Sequence, residues 1–259
     1  MNPMMTVAIN AAEKAGKIQK ESLGRSFEIG FKGEINLVTD VDRISEDIII
    51  EIIRDVYPDH QILAEEGKGQ KNPSSYKWII DPLDGTTNYA HGYPCFCVSI
   101  ALEEDGDIVL GVVYNPVLDE LFTAEKGKGA YLNGGEIRVS STEELTNSML
   151  ATGFPYDIRE SENNNLVHFT NFIMRARAIR RAGSAALDLC YVAIGRFDGF
   201  WELKLSPWDV AAGSLIVREA GGIVTDFRGH GFNIYSKEIL AGNGRVHSEM
   251  VKVLKMGLS

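Results

Sequence analysis

Apolar residues recur at helical spacing in the first stretch of the chain. Residues 6–23 carry alanines, isoleucines and lysines in that rhythm and predict an amphipathic helix stopped at Gly24. A second helix is predicted over 40–57, where VDRISEDIIIEIIRDVY sets an apolar stripe of Val41, Ile44, Ile48, Ile52 and Val56 ahead of Pro58. Short apolar runs at 61–64 and 77–80 read as strands. Residues 96–102 and 108–114 flank the turn EEDGD as a hairpin, and 121–124 and 130–132 continue the β pattern to the tight turn at Asn133, Gly134 and Gly135.

Beyond residue 148 the pattern is mixed. Helices are predicted at 166–176, 184–194 and 207–220, the last stopped by Gly221 and Gly222, with a closing helix that runs to Met256. Strands are predicted at 197–203, 223–226 and 238–241. Residues 32–37 carry turn formers. There is no repeat, low-complexity run or flexible linker. The expectation is one compact unit over 1–259, of alternating helix and sheet layers, with two lobes of roughly 1–145 and 146–259.

Composition narrows the function. The 259 residues include 26 Lys and Arg against 36 Asp and Glu, a net charge of −10. Such a chain repels polyanions, which argues against direct nucleic-acid binding. No apolar run reaches the length of a membrane span, and the N-terminal pattern lacks the core of a signal peptide. Cys95, Cys97 and Cys190 form no CxxC and read as small buried hydrophobes in a reducing cytoplasm.

The chemistry concentrates at 81–89, DPLDGTTNY. The run Trp78-Ile79-Ile80 brings Asp81 and Asp84 to the C-terminal end of a strand, where ligands often sit in αβ proteins. Pro82 stiffens the turn, and Gly85 lets backbone approach an anion. If Thr86 and Thr87 open a helix, their N–H groups face a phosphate. Asp, Pro and Gly are also plain turn formers, so composition alone reads the segment equally well as an acidic surface turn. Glu65 and Glu66 end another strand; as a pair they also read as a solvated loop. Asp209 sits third in a helix opened by Ser206 and Pro207, a position that a capping role explains by itself. Thr39 and Asp42 repeat that pattern at the second helix.

Together these residues resemble the inositol monophosphatase family, within the lithium-sensitive, magnesium-dependent phosphatases. The matches are Asp81-Pro82-Leu83-Asp84-Gly85-Thr86, and Trp208-Asp209 followed by Glu219-Ala220-Gly221-Gly222. Leu37-Val38-Thr39 with Asp42, Glu65-Glu66, and Gly183-Ser184-Ala185-Ala186 support them, in the family's order over nearly the whole chain. The resemblance implies a mixed α/β, layered αβαβα sandwich and a phosphoric monoester hydrolase that usually forms homodimers.

The same resemblance implies residue roles. Asp81 bridges two Mg2+ ions; Glu65 and the Leu83 carbonyl complete one site, Asp84 and Asp209 the other, with a looser third ion near Glu65. Thr86, paired with Asp42, orients and deprotonates the attacking water. Gly85 and Thr86 hold the phosphate, and Ser184, Ala185, Glu202 and Asp209 meet the substrate. Lys32 and Glu66 lie at the edge of the site. The expected reaction is hydrolysis of myo-inositol monophosphate by a metal-activated water, without a phosphoenzyme. Fructose 1,6-bisphosphate and 3′-phosphoadenosine 5′-phosphate are the alternative substrates. Arg180 and Arg181 are candidate holders of a second phosphate, and also read as a solvated basic pair. A non-catalytic regulatory partner is the remaining alternative from a different class.

Overall fold

The computed structural model describes residues 2–24, 29–32, 36–69 and 72–257, with backbone alone for 29–32 and 36–38. Helix α1 (Pro3–Ser22) leads to the antiparallel pair β1 (Ile29–Lys32) and β2 (Asn36–Thr39), then to α2 (Asp40–Val56). Lys32, Leu37 and Val38 are strand positions, but their side chains lie outside the described residues.

A seven-stranded sheet follows: β3 (Gln61–Ala64), β4 (Tyr76–Asp84), β5 (Cys97–Glu104), β6 (Asp107–Asn115), β7 (Glu120–Glu125), β8 (Ala130–Leu132) and β9 (Gly135–Glu136), in that spatial order. The short helix α3 (Thr86–Ala90) separates β4 from β5. β3 and β4 are parallel and the remaining neighbours antiparallel.

The second half supplies β10 (Met149–Thr152), α4 (Leu166–Ile173), β11 (Ala178–Arg180), α5 (Ala185–Ala193), β12 (Gly199–Leu203), α6 (Pro207–Glu219), β13 (Ile223–Thr225), β14 (Glu238–Gly242) and α7 (His247–Leu254). Its sheet runs β11-β10-β12-β14-β13, parallel around β10 and antiparallel around β14.

Five layers result, αβαβα. Alanines of α1 and Ile49, Ile50 and Ile53 of α2 cover one face of the large sheet through Trp78, Ile80, Ile100 and Val112. Helices α5 and α6 fill the space between the sheets. Phe172 of α4 and Met250, Val253 and Leu254 of α7 cover the outer face of the small sheet. Both faces of β4 and β5 are thus buried, which is why 78–80 reads as an apolar run rather than an alternation.

The sequence expectation for α2 needs correction. Ile44 is 46% exposed and Val56 53% exposed, while the buried line runs Val41, Ser45, Ile49, Ile50 and Ile53, with Asp42 and Glu46 beside it. The three consecutive isoleucines allow two phases, and the true phase buries polar side chains that serve the site. The strands β10 and β11 were not expected. Each is only three or four residues long, bordered by polar residues.

Candidate active site

A cavity of about 830 Å³ is lined from the first half of the chain by Glu65, Asp81 and the turn 83–87, and from the second by 152–159, Arg181, 183–185, 202–206, Trp208 and Asp209. Strand β4 ends in a bulge between Asp81 and Asp84, where pairing with β5 slips. Pro82 sits in the slip and has no N–H to leave unpaired. The Leu83 N–H donates to Asp81 Oδ1 at 3.0 Å, closing the turn on its own carboxylate. From α1, Gln19 Nε2 donates to the Pro82 carbonyl at 2.6 Å. Gly85 takes φ 101°, in the left-handed region, and a Cβ there would stand 2.8 Å from the Cys95 carbonyl. Only glycine fits both demands.

The Thr86 hydroxyl lies 2.8 Å from Asp42 Oδ1 and 3.1 Å from the Leu83 carbonyl, with one hydrogen to give. Asp42 is buried behind it, and its other oxygen accepts the Thr39 N–H at 2.8 Å. Burial raises its carboxyl, against the hydrogen bonds from Thr39 and Thr86. Thr39 and Asp42 therefore cap α2 and position Thr86 at once.

Asp84 joins the end of β4 to the start of α5. Its Oδ2 accepts the Ser184 hydroxyl at 2.6 Å and the Ala186 N–H at 2.8 Å, and burial still raises its carboxyl to about 6. Asp209 accepts the Ser206 N–H at 2.6 Å, so the capping role is real and it also aims the carboxylate into the cavity. Burial pushes Asp81 and Asp209 well up; the like charges of Glu65, Asp84 and Asp209 add to the effect at Asp81, and those of Asp84, Glu65 and Glu202 at Asp209.

Four hard oxygen donors crowded in one pocket fit a divalent cation, whose charge would relieve both burial and mutual repulsion. Among the described residues no three such side chains close on one point as a ready cage.

Ser184, Ala185 and Glu202 also line the cavity. Enclosure pushes the Glu202 carboxyl up to about 8, opposed by Arg181 and aided by Asp84. Arg181 lines the cavity, whereas Arg180 is exposed at the end of edge strand β11 and does not line it. Glu66 also lies outside the lining; its N–H donates to Glu46 Oε2 at 2.8 Å.

Sequence reasoning missed Glu46, a buried carboxylate that accepts from the Glu66 and Lys68 N–H groups and so pins the loop carrying Glu65. It also missed Gln19, Gly153 and Tyr156, none of which belongs to a recognisable motif. The signal for Glu46 and Gln19 was present, since each is a polar residue on the apolar side of a helix.

The model of the Inositol monophosphatase family matches residues 1–256 of this chain. A protein of Pasteurella multocida named Nus factor SuhB is 44% identical over 262 residues, covering 100% of this chain and 98% of that one. An Inositol-1-monophosphatase of Mesorhizobium japonicum is 43% identical over 259 residues, covering 99% of this chain and 97% of that one. The solved inositol monophosphatase of Anabaena superposes with a TM-score of 0.89 at 45% identity, over 97% of this chain and 94% of that one.

Proposed function

The chain belongs to the inositol monophosphatase family and is a phosphatase, and we propose that it hydrolyses myo-inositol monophosphate to inositol and phosphate. One observation carries this reading. A single cavity brings together four carboxylates, the Gly85–Thr86 turn, Glu202, Ser184 and Ala185. The carboxylates and the turn suit a phosphate with its cations, and Glu202 suits a ring of hydroxyls.

Glu65, Asp81, Asp84, Asp209 and the Leu83 carbonyl would hold Mg2+, as two ions with a looser third near Glu65. The chemistry these ions supply when bound is Lewis-acid: charge for the phosphoryl oxygens and acidification of a water. The protein's own groups do the rest. Thr86 gives its one hydrogen to Asp42 and turns its lone pairs outward, where they accept from a water and fix its line of attack. The N–H groups of Gly85 and Thr86 seat the phosphate. Glu202 lines the cavity, where enclosure pushes its carboxyl up to about 8, and its oxygens can meet ring hydroxyls. A cysteinyl-phosphate intermediate is disfavoured, since burial pushes Cys97 well up and Cys95 up to about 12, and neither lines the cavity.

Arg181 favours a second reading, a sugar bisphosphate whose distal phosphate the guanidinium would meet. We also propose a homodimer, checked by light scattering in solution. Phosphate release with Mg2+ from myo-inositol 1-phosphate, fructose 1,6-bisphosphate and 3′-phosphoadenosine 5′-phosphate, with an EDTA control, separates the substrates. Preference for the inositol ester is the expected outcome. Preference for the bisphosphate would shift the role to Arg181. Metal-dependent release from none of them would overturn the substrate reading.

A further inference from the structure

The Glu202 carboxylate rests directly on Gly153. A Cβ built at residue 153 would stand 2.0 Å from Glu202 Oε1, 2.3 Å from Cδ and 2.4 Å from Oε2. We propose that Gly153 is a specificity-determining position: its missing side chain is the seat that aims Glu202 at the alcohol half of the substrate. The inference rests on the polyol reading above.

Backbone conformation does not explain this glycine. Gly153 is absent from the residues with positive φ, so alanine would meet no strain there. Space alone is at issue, and the backbones on both sides are fixed. Strand β12 is paired with both neighbours, Trp201 opposite Thr152 and Glu202 opposite Ile239. The Thr152 hydroxyl donates to the Trp201 carbonyl at 2.6 Å. Asn165, buried and at φ 72°, donates from Nδ2 to the Gly153 carbonyl at 2.6 Å and to Thr152 Oγ1 at 2.9 Å. Its Oδ1 accepts the Trp201 indole N–H at 2.8 Å. One buried amide thus ties residues 152, 153 and 201 together. Neither strand can back away from a methyl group at 153. The free end is the Glu202 side chain, which must swing from its seat.

The test is the ratio of kcat/KM for myo-inositol 1-phosphate to that for p-nitrophenyl phosphate, which has no ring hydroxyls. In Gly153→Ala this ratio should fall about tenfold, the loss of one hydrogen bond to a carboxyl group. It should fall further in Glu202→Ala, and Gly153→Ala should add nothing in the Glu202→Ala background. Inositol should lose affinity as a product inhibitor about tenfold in Gly153→Ala, while inorganic phosphate as the probe of the phosphate site should shift less than twofold.

An unchanged ratio in Gly153→Ala, with the ratio lowered by Glu202→Ala, overturns the seat and leaves the polyol reading standing. An unchanged ratio in both variants overturns the role of Glu202 as well. Should Gly153→Ala alone fail to fold, recovery of folding in Gly153→Ala with Glu202→Ala supports the contact, and failure of the double variant overturns it.

Discussion

The two walls of the cavity are built in opposite ways. The wall from the first sheet is nearly continuous in sequence: Asp81, Leu83, Asp84, Gly85 and Thr86 follow one strand end and its bulge. The wall from the second sheet gathers residues 152–159, Arg181, 183–185 and 202–206 from separate elements. Within the first, hydrogen bonds fix each carboxylate on the strand end, the Leu83 N–H on Asp81 locally and Ser184 with the Ala186 N–H on Asp84 from α5. Within the second, Glu202 stands where sheet pairing and the absence of a side chain at 153 leave it. A stiff local motif suits chemistry that every substrate of the class shares. An assembled wall suits selection, because one substitution can reshape it without touching the phosphate site.

If that division holds, the first wall should show the larger losses. Asp84→Asn keeps the volume and removes one charge, so turnover should fall roughly 1,000-fold, the scale of several kcal/mol of lost cation support. Steady-state kinetics at saturating Mg2+ measures it, and circular dichroism should show the fold retained. Mg2+ should raise the melting temperature of the natural protein and do so far less in this variant. Residual activity near the natural level would remove Asp84 from the cation site.

Thr86→Val should cost about 100-fold in kcat, the lower range for a positioned proton-transfer group, with KM little changed. A loss confined to KM would make Thr86 a phosphate contact only. Gly153→Ala, at about tenfold in a substrate ratio, stands third and belongs to the second wall.

The same division explains what was legible in the sequence. DPLDGT announced its strand, its turn and its two carboxylates, because contiguous residues share one local cause. Asp209 and Asp42 were readable twice over, as caps and as site residues, and Asp209 Oδ2 and Asp42 Oδ2 do make the capping bonds. The phase of α2 was misread because Ser45 and Glu46 are polar yet buried: Glu46 holds the loop beside Glu65, and Ser45 meets Gln19. A pattern based on hydrophobicity assigns such residues to solvent. Gly153 carried no signal, since its meaning lies in a strand 49 positions away (Thr152 to Trp201).

A prediction on stability, with no effect on turnover needed, tests whether the second wall is enclosed. Burial raises the Glu202 carboxyl from 4.5 to about 8, with Asp84 adding to the shift and Arg181 opposing it. The folded protein then keeps a proton that the unfolded chain has already released. Stability from this group is full below the unfolded value and is lost as pH rises towards 8. Glutamine carries no such proton, so Glu202→Gln lacks this slope. In EDTA, the melting temperature of the variant relative to the natural protein should climb between about pH 5 and pH 8 and level off above. Thermal melts across that range read it directly. A difference that stays constant with pH would mean a carboxyl of ordinary acidity, open to water. The second wall would then select its substrate by shape alone, and the contrast between the walls would lie in geometry and not in electrostatics.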